Sequence, residues 1–152
     1  MDFRSELAPG DRIGGYTIVR TIAAGGMGIV YEAVSAKPAR SVALKVLSPW
    51  LVSEIGRQRF EQEVRACAQL THPSTVVIYD FGESEEGTLY YAMELLDGLD
   101  LARLVALHGA QPAARSIRVL DQIAAALGEA YERGLVHRDI KPQNIILCEL
   151  GG

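Results

Sequence analysis

Cysteine is nearly missing from this chain, and the two present, Cys67 and Cys148, form neither a C-x-x-C pair nor a disulfide framework. A disulfide-stapled scaffold is excluded, and both thiols read as buried or incidental groups of a reducing compartment. No apolar run approaches the roughly 18 residues needed to span a bilayer. The N-terminus carries Asp2, Arg4 and Glu6 where a signal peptide needs an apolar core. The expectation is a cytoplasmic chain without a membrane segment. Positive charge is not in excess either: a net charge of -4 and a pI near 5.4 give no bulk attraction to nucleic acid or anionic lipid, and no nucleic-acid partner is expected. Internal repeats and low-complexity stretches are absent. What is present is ordinary globular composition, 49% hydrophobic and 22% charged over 152 residues.

Residues 16–23 and 29–36 are rich in β-branched and aromatic side chains, and the glycines between them predict a hairpin. Residues 41–47 read as a third strand, 76–81 and 89–94 as two more. Between them, residues 54–70 carry Phe60, Val64, Cys67 and Leu70 at helical spacing, closed by His72-Pro73. After Asp97-Gly98 the pattern turns helical. Asp100 is a candidate N-cap for residues 101–108, with Gly109 as their stop. A longer helix is expected from Pro112, repeating Ile117, Leu120, Ile123 and Leu127 on one face and ending at Arg133. The order β-β-β-α-β-β followed by helices predicts an α+β chain with an N-terminal extension (1–15), a sheet lobe (16–96) and a helical part (97–152).

The chemistry concentrates in residues 137–144, His-Arg-Asp-Ile-Lys-Pro-Gln-Asn. A carboxylate, cations and an amide stand between the apolar pairs Leu135-Val136 and Ile145-Ile146, where folding does not require them. Pro142 lacks an N–H and pushes Lys141 toward extended geometry, so a loop is expected rather than a helix. A charged surface turn is the plain alternative. The segment resembles the catalytic loop of eukaryotic-type (Hanks-type) protein kinases, matching H-R-D-x-x-x-x-N with Asp139 and Asn144 at the family separation.

Other segments fit the same resemblance. Residues 22–30, Ile-Ala-Ala-Gly-Gly-Met-Gly-Ile-Val, resemble the kinase glycine-rich loop, where missing Cβ atoms let backbone N–H groups approach phosphate. Gly25 and Gly28 take its second and third glycine positions, and Ala23 replaces the first. A dinucleotide fingerprint is disfavoured because a strand, not a helix, follows the glycines; a hairpin turn without a ligand stays open. In Val42-Ala-Leu-Lys-Val46, Lys45 interrupts an apolar run and shares a face with Ala43, which suits a base over Ala43 and an ammonium at phosphate. A snorkelling lysine is the alternative. Glu63 falls three residues after Phe60 and four before Cys67, on the apolar side of the helix, and a core-facing carboxylate needs a partner. Lys45 is the candidate. Glu63 at the stripe's wet edge, or Glu61 in its place, are the other readings.

The resemblance implies a protein-kinase-like fold: a five-stranded antiparallel N-lobe sheet with one helix, then the first helices and catalytic loop of a helical C-lobe. It implies ATP and Mg²⁺ as cofactors and protein Ser/Thr hydroxyls as substrates. ATP contacts are expected from Ile22, Ala24, Gly25, Gly26, Met27, Gly28, Val30, Ala43, Lys45 and Glu63. Met93 would stand behind the base, with main-chain contacts from Glu94 and Leu96. Asp139 would orient the substrate hydroxyl, Lys141 would stabilise the transferring phosphoryl group, and Asn144 would hold Mg²⁺. Lys141 two residues after Asp139 resembles the serine/threonine branch, and the Gly-Gly-Met-Gly loop its bacterial members. Arg138 resembles that of kinases controlled by a phosphorylated activation loop. His137 reads as structural. No Asp-Phe-Gly follows Asn144, so the expectation is a kinase fragment that binds ATP without transferring phosphate alone; a non-catalytic nucleotide-binding or interaction module is the rival.

Overall fold

Strand pairing begins four residues before the predicted hairpin. In the computed structural model, which describes residues 6–49 and 53–148, β1 (Arg12–Ile13) pairs antiparallel with the start of β2 (Tyr16–Gly25). Gly14, at φ 55, makes the tight turn between them. Three further strands match the expected ones closely: β3 (Gly28–Ala36), β4 (Ala39–Leu47) and, after the helix α1 (Glu54–Cys67), β6 (Leu89–Met93), which pairs β5 (Ile78–Glu83). The sheet is therefore six-stranded, in the order β1-β2-β3-β4-β6-β5 and antiparallel throughout. The sixth strand escapes sequence pattern because two residues carry no alternation; Ile13 belongs to it because its side chain enters the core, 5% exposed.

Period-2 alternation decides which face is buried. Tyr16 and Ile18, Tyr31 and Ala33, Val42 and Leu44, and Tyr90 and Ala92 come from four strands and form one apolar cluster. Leu44 and Val42 are completely buried, each contributing about 1.5–3 kcal/mol of transfer free energy. The residues between them necessarily point to the other face. There lie Val30, Ala43, Lys45, Tyr91 and Met93.

The chain divides into two compact units, Met1–Ala68 with Val77–Leu95, and Gln69–Val76 with Leu96–Gly152. The second opens with β7 (Gly98–Asp100), paired antiparallel to β8 (Ile146–Cys148). Gly98 thus joins a strand rather than only marking a hinge. A Cβ there would lie 2.4 Å from the Leu147 carbonyl oxygen, so only glycine permits this approach. Asp100 caps α2 (Leu101–His108) by accepting the Arg103 N–H at 2.9 Å. Gly109, at φ 73, ends it. Helix α3 (Ala113–Glu132) starts one residue after Pro112, whose ψ of 142 makes it the cap. On α3, Glu129 accepts the backbone N–H groups of Thr71 and His72 and the Thr71 hydroxyl, at 2.8–3.1 Å, which fastens the 69–76 segment to the helix. Of the predicted stripe, Ile123 and Leu127 are half-buried, while Ile117 and Leu120 are exposed.

Candidate active site

The glycine-rich turn is more tightly zipped than its sequence suggests. Strands β2 and β3 pair up to Gly25 opposite Gly28, leaving Gly26-Met27 as a two-residue turn. Ser48 holds the tip: its hydroxyl donates to the Gly26 carbonyl at 3.4 Å and its N–H to the Met27 carbonyl at 3.3 Å. In a planar trans peptide the N–H points opposite the C=O, so the Met27 and Gly28 amides face away from Ser48. The glycines are not equivalent. Gly28 adopts φ +147, and a Cβ there would meet the Val46 carbonyl oxygen at 2.2 Å, whereas a Cβ at Gly25 or Gly26 would meet nothing within 4 Å. Folding accounts for Gly28; it does not require Gly25 or Gly26. Ile22 falls at a register shift of β2, Ala24 pairs Ile29, and Val30 pairs Lys45.

On the face opposite the core, register gathers four of the predicted residues: Val30 beside Lys45 on β3 and β4, and Ala43 beside Met93 on β4 and β6. The Lys45 ammonium stands 5.9 Å from the Tyr91 ring centroid, within cation–π range. Glu63 is exposed rather than turned into the core; Val64 is the residue α1 buries. The expectation of a core-facing carboxylate is corrected, because Phe60, Val64 and Cys67 fill the stripe and leave Glu63 at its edge. Glu63 still acts on Cys67, whose thiol pKa is pushed up first by burial and then by this carboxylate. The thiol is therefore protonated at neutral pH.

Beyond Met93, the Glu94 N–H donates to the Val77 carbonyl at 2.9 Å and the Glu94 side chain accepts from the Val77 N–H at 3.4 Å. Among the described residues, the Glu94 carbonyl and both backbone polar groups of Leu96 make no hydrogen bond.

In the second unit the 137–144 segment folds on itself. Arg138 takes the left-handed conformation, φ 63, uncommon for a side chain of its size. The turn is secured by the Asp139 N–H donating to His137 Nδ1 at 3.2 Å. Pro142–Asn144 is a short 3-10 turn inside the expected loop. The Asn144 amide donates to both the carbonyl and Oδ2 of Asp139 at 2.9 Å, and Lys141 Nζ reaches Oδ2 at 3.0 Å. Lys141 and then Asn144, as hydrogen-bond donors, hold the Asp139 carboxyl below the usual carboxylate range. At neutral pH it is an ionised, oriented acceptor. Among the described residues no group of three His, Cys, Asp or Glu side chains could hold a metal ion, and no helix is long and apolar enough to cross a membrane.

One triplet invites misreading. Asp80-Phe81-Gly82 has the composition of a kinase metal-binding motif but lies in β5, where Asp80 accepts the Tyr16 hydroxyl at 3.1 Å. At Gly82 a Cβ would approach the Tyr90 hydroxyl to 2.8 Å. Sequence reasoning also missed Arg57 on α1, which bonds Glu83, and Glu129 on α3; neither belongs to a local pattern.

The first unit's sheet carries Val30, Ala43, Lys45 and Met93 on the face away from its core, and the second unit holds a self-bonded His-Arg-Asp loop, a combination that matches the protein kinase domain class. The protein kinase domain family model matches residues 16–151, and the chain belongs to that family, on its bacterial Hanks-type serine/threonine branch. It is 40% identical over 148 residues to the serine/threonine-protein kinase PknE of Mycobacterium tuberculosis, covering 97% of this chain and 26% of PknE. It is 39% identical over 139 residues to PknD of the same organism, covering 91% of this chain and 21% of PknD. The crystal structure of the M. tuberculosis PknI kinase domain superposes with a TM-score of 0.83 at 36% identity, over 95% of this chain and 60% of that one. The chain thus spans about a quarter of the first curated relatives it matches.

Proposed function

We propose that this chain binds ATP and serves the transfer of its γ-phosphoryl group to serine or threonine hydroxyls of proteins. The observation that carries the reading is the Asp139 carboxylate, ionised and aimed by Lys141 and Asn144 within one eight-residue loop. In the reaction the substrate hydroxyl oxygen bonds to the γ-phosphorus while the bond to the β-γ bridging oxygen breaks, and ADP leaves. Asp139 accepts the hydroxyl's hydrogen bond and orients it; the proton is released as the new ester forms. A depressed pKa suits this role, because a loose transition state needs alignment more than early deprotonation. Lys141 adds positive charge where charge develops.

The first unit's residues, with Leu96, are assigned to the nucleotide. Gly25, Gly26 and Met27 offer open backbone to phosphate, with Ile22, Ala24, Gly28 and Val30 shaping the turn. Ala43 and Met93 border the base, Glu94 and Leu96 present main-chain groups to its edge, and Lys45, oriented by Glu63, meets phosphate. Asn144 fits Mg²⁺ in one respect: its amide N–H groups are spent on Asp139, which leaves Oδ1, a hard oxygen ligand. Mg²⁺, when bound, neutralises phosphate charge.

The test is binding of Mg-ATP by fluorescence titration together with phosphate transfer from labelled ATP to a generic basic protein. Lys45→Met should weaken binding about tenfold or more, the loss of one charge-assisted phosphate contact. Asp139→Asn should leave binding in place and lower transfer. Equal binding by Lys45→Met and the native chain would remove the phosphate role of Lys45. Transfer above the Asp139→Asn level would exclude the non-catalytic nucleotide module; binding without transfer is the outcome expected both of that module and of a kinase chain that binds ATP without transferring phosphate alone.

A further inference from the structure

Helix α1 has a thin attachment to the sheet. Only Val64 of its 14 residues is buried, and Ile55 is 65% exposed. A helix held by so little apolar area depends on whatever other contacts it makes. Most of those contacts fall on one stripe at helical spacing, Arg57, Phe60, Val64 and Cys67. Phe60 meets the Tyr91 ring with centroids 6.2 Å apart. One turn earlier, where an apolar residue would continue the stripe, stands Arg57. Its guanidinium bonds the Glu83 carboxylate at the end of β5 and the Gly87 carbonyl at 3.5 Å.

The receiving hairpin is rigid. The Ser84 N–H donates to the Thr88 carbonyl at 2.9 Å, the Gly87 N–H to the Ser84 carbonyl at 2.9 Å, and the Thr88 N–H to the Ser84 hydroxyl at 3.2 Å. Gly87 takes φ +79, and a Cβ there would press on both the Glu83 carboxylate and Arg57 Nη2, at 3.3 and 3.4 Å. Glycine is thus needed for the backbone and for the space the clamp fills. Arg65 adds a second charged attachment, its guanidinium 5.1 Å from the Phe81 ring centroid.

We propose that Arg57 is a positioning residue: through Glu83 and the Gly87 carbonyl it docks the N-terminal half of α1 on the β5–β6 hairpin and thereby sets where Glu63 stands relative to β4. This rests on the reading of Lys45 and Glu63 as nucleotide-site residues, and it adds a control point outside that site. Anything that competes for the Glu83 carboxylate or neutralises it releases the helix.

The test uses the whole chain. Hydrogen–deuterium exchange of residues 54–67 reports docking, because a detached 14-residue helix is marginal in water. Fluorescence titration with Mg-ATP reports the nucleotide site. Arg57→Gln and Glu83→Gln should each speed α1 exchange roughly 1.5- to fivefold and weaken Mg-ATP binding by a similar factor, as for loss of an exposed charged contact. The charge-swapped pair Arg57→Glu with Glu83→Arg should restore part of both, the ion pair returning without the Gly87 carbonyl contact, which a general loss of stability would not. Lys45→Met should weaken binding without changing α1 exchange. Native exchange in both single variants overturns the clamp. Faster exchange with unchanged affinity, while Lys45→Met weakens binding, overturns the link from α1 to the site. If Lys45→Met has no effect, the nucleotide reading fails, and the exchange data with the charge swap still decide whether Arg57 docks the helix.

Discussion

Replacing Gly28 by alanine separates what the fold demands of the glycine-rich turn from what a ligand demands. At φ +147 an L side chain is strained, by about 1–3 kcal/mol. The added Cβ would also lie 2.2 Å from the Val46 carbonyl oxygen and 3.1 Å from Leu47 Cα, both backbone atoms of β4 that no rotamer change can move. Relief requires peeling β3 from β4 at the Gly28–Leu47 end, at a cost of about 0.5–1.5 kcal/mol for each ladder hydrogen bond lost. Together these give about 2–4 kcal/mol, a large part of the roughly 5–15 kcal/mol that holds an ordinary domain. Gly26→Ala, by contrast, meets open space and leaves stability unchanged or raises it by up to about 1 kcal/mol through the unfolded chain. Urea unfolding followed by circular dichroism should show the Gly28→Ala midpoint well below native and the Gly26→Ala midpoint at or above it. In Mg-ATP titrations the order changes: Gly25→Ala and Gly26→Ala should weaken binding despite their stability, because the new methyl groups would stand where the proposed function brings phosphate. Equal midpoints for Gly28→Ala and Gly26→Ala would refute the steric argument.

Three other outcomes follow from the same structure. The backbone N–H of Thr71 above all holds Glu129 below its ordinary 4.5, so the clamp on the 69–76 segment is complete above that pH and lost as pH falls through the lowered value. Thr71 and His72 amide shifts should titrate in acid and stay flat in Glu129→Gln; a flat native profile counts against the clamp. Burial above all, then Asp80, pushes the Tyr16 hydroxyl up to about 12 from 10.0. Its stabilising effect is full below about 10 and disappears as pH rises toward 12, so Tyr16→Phe should lose less stability over that range in alkaline unfolding, with Tyr31, Tyr90 and Tyr91, also raised, supplying the rest. Leu44→Ala, at a side chain with no exposure, should cost about 2–5 kcal/mol of unfolding free energy; a cost under about 1 kcal/mol would show that the cluster repacks.

Whatever depends on neighbours in sequence was legible before any coordinates. Alternation along β2, β3, β4 and β6 set which residues enter the core. Asp100 and Gly109 bound α2 because caps act within one turn. The 137–144 loop could be read because Asp139, Lys141 and Asn144 lie within six residues, so spacing alone limits how they meet. Tertiary structure decided the rest. Ile13 joined the sheet through a two-residue strand too short to show a period, and Glu63 went to the edge of α1 because three better apolar residues filled its stripe. Arg57 found Glu83 across 26 positions, Thr71 found Glu129 across 58, and Tyr16 found Asp80 across 64. A polar side chain's partner at such separations is chosen by the packing of whole elements, and local propensity carries no record of it.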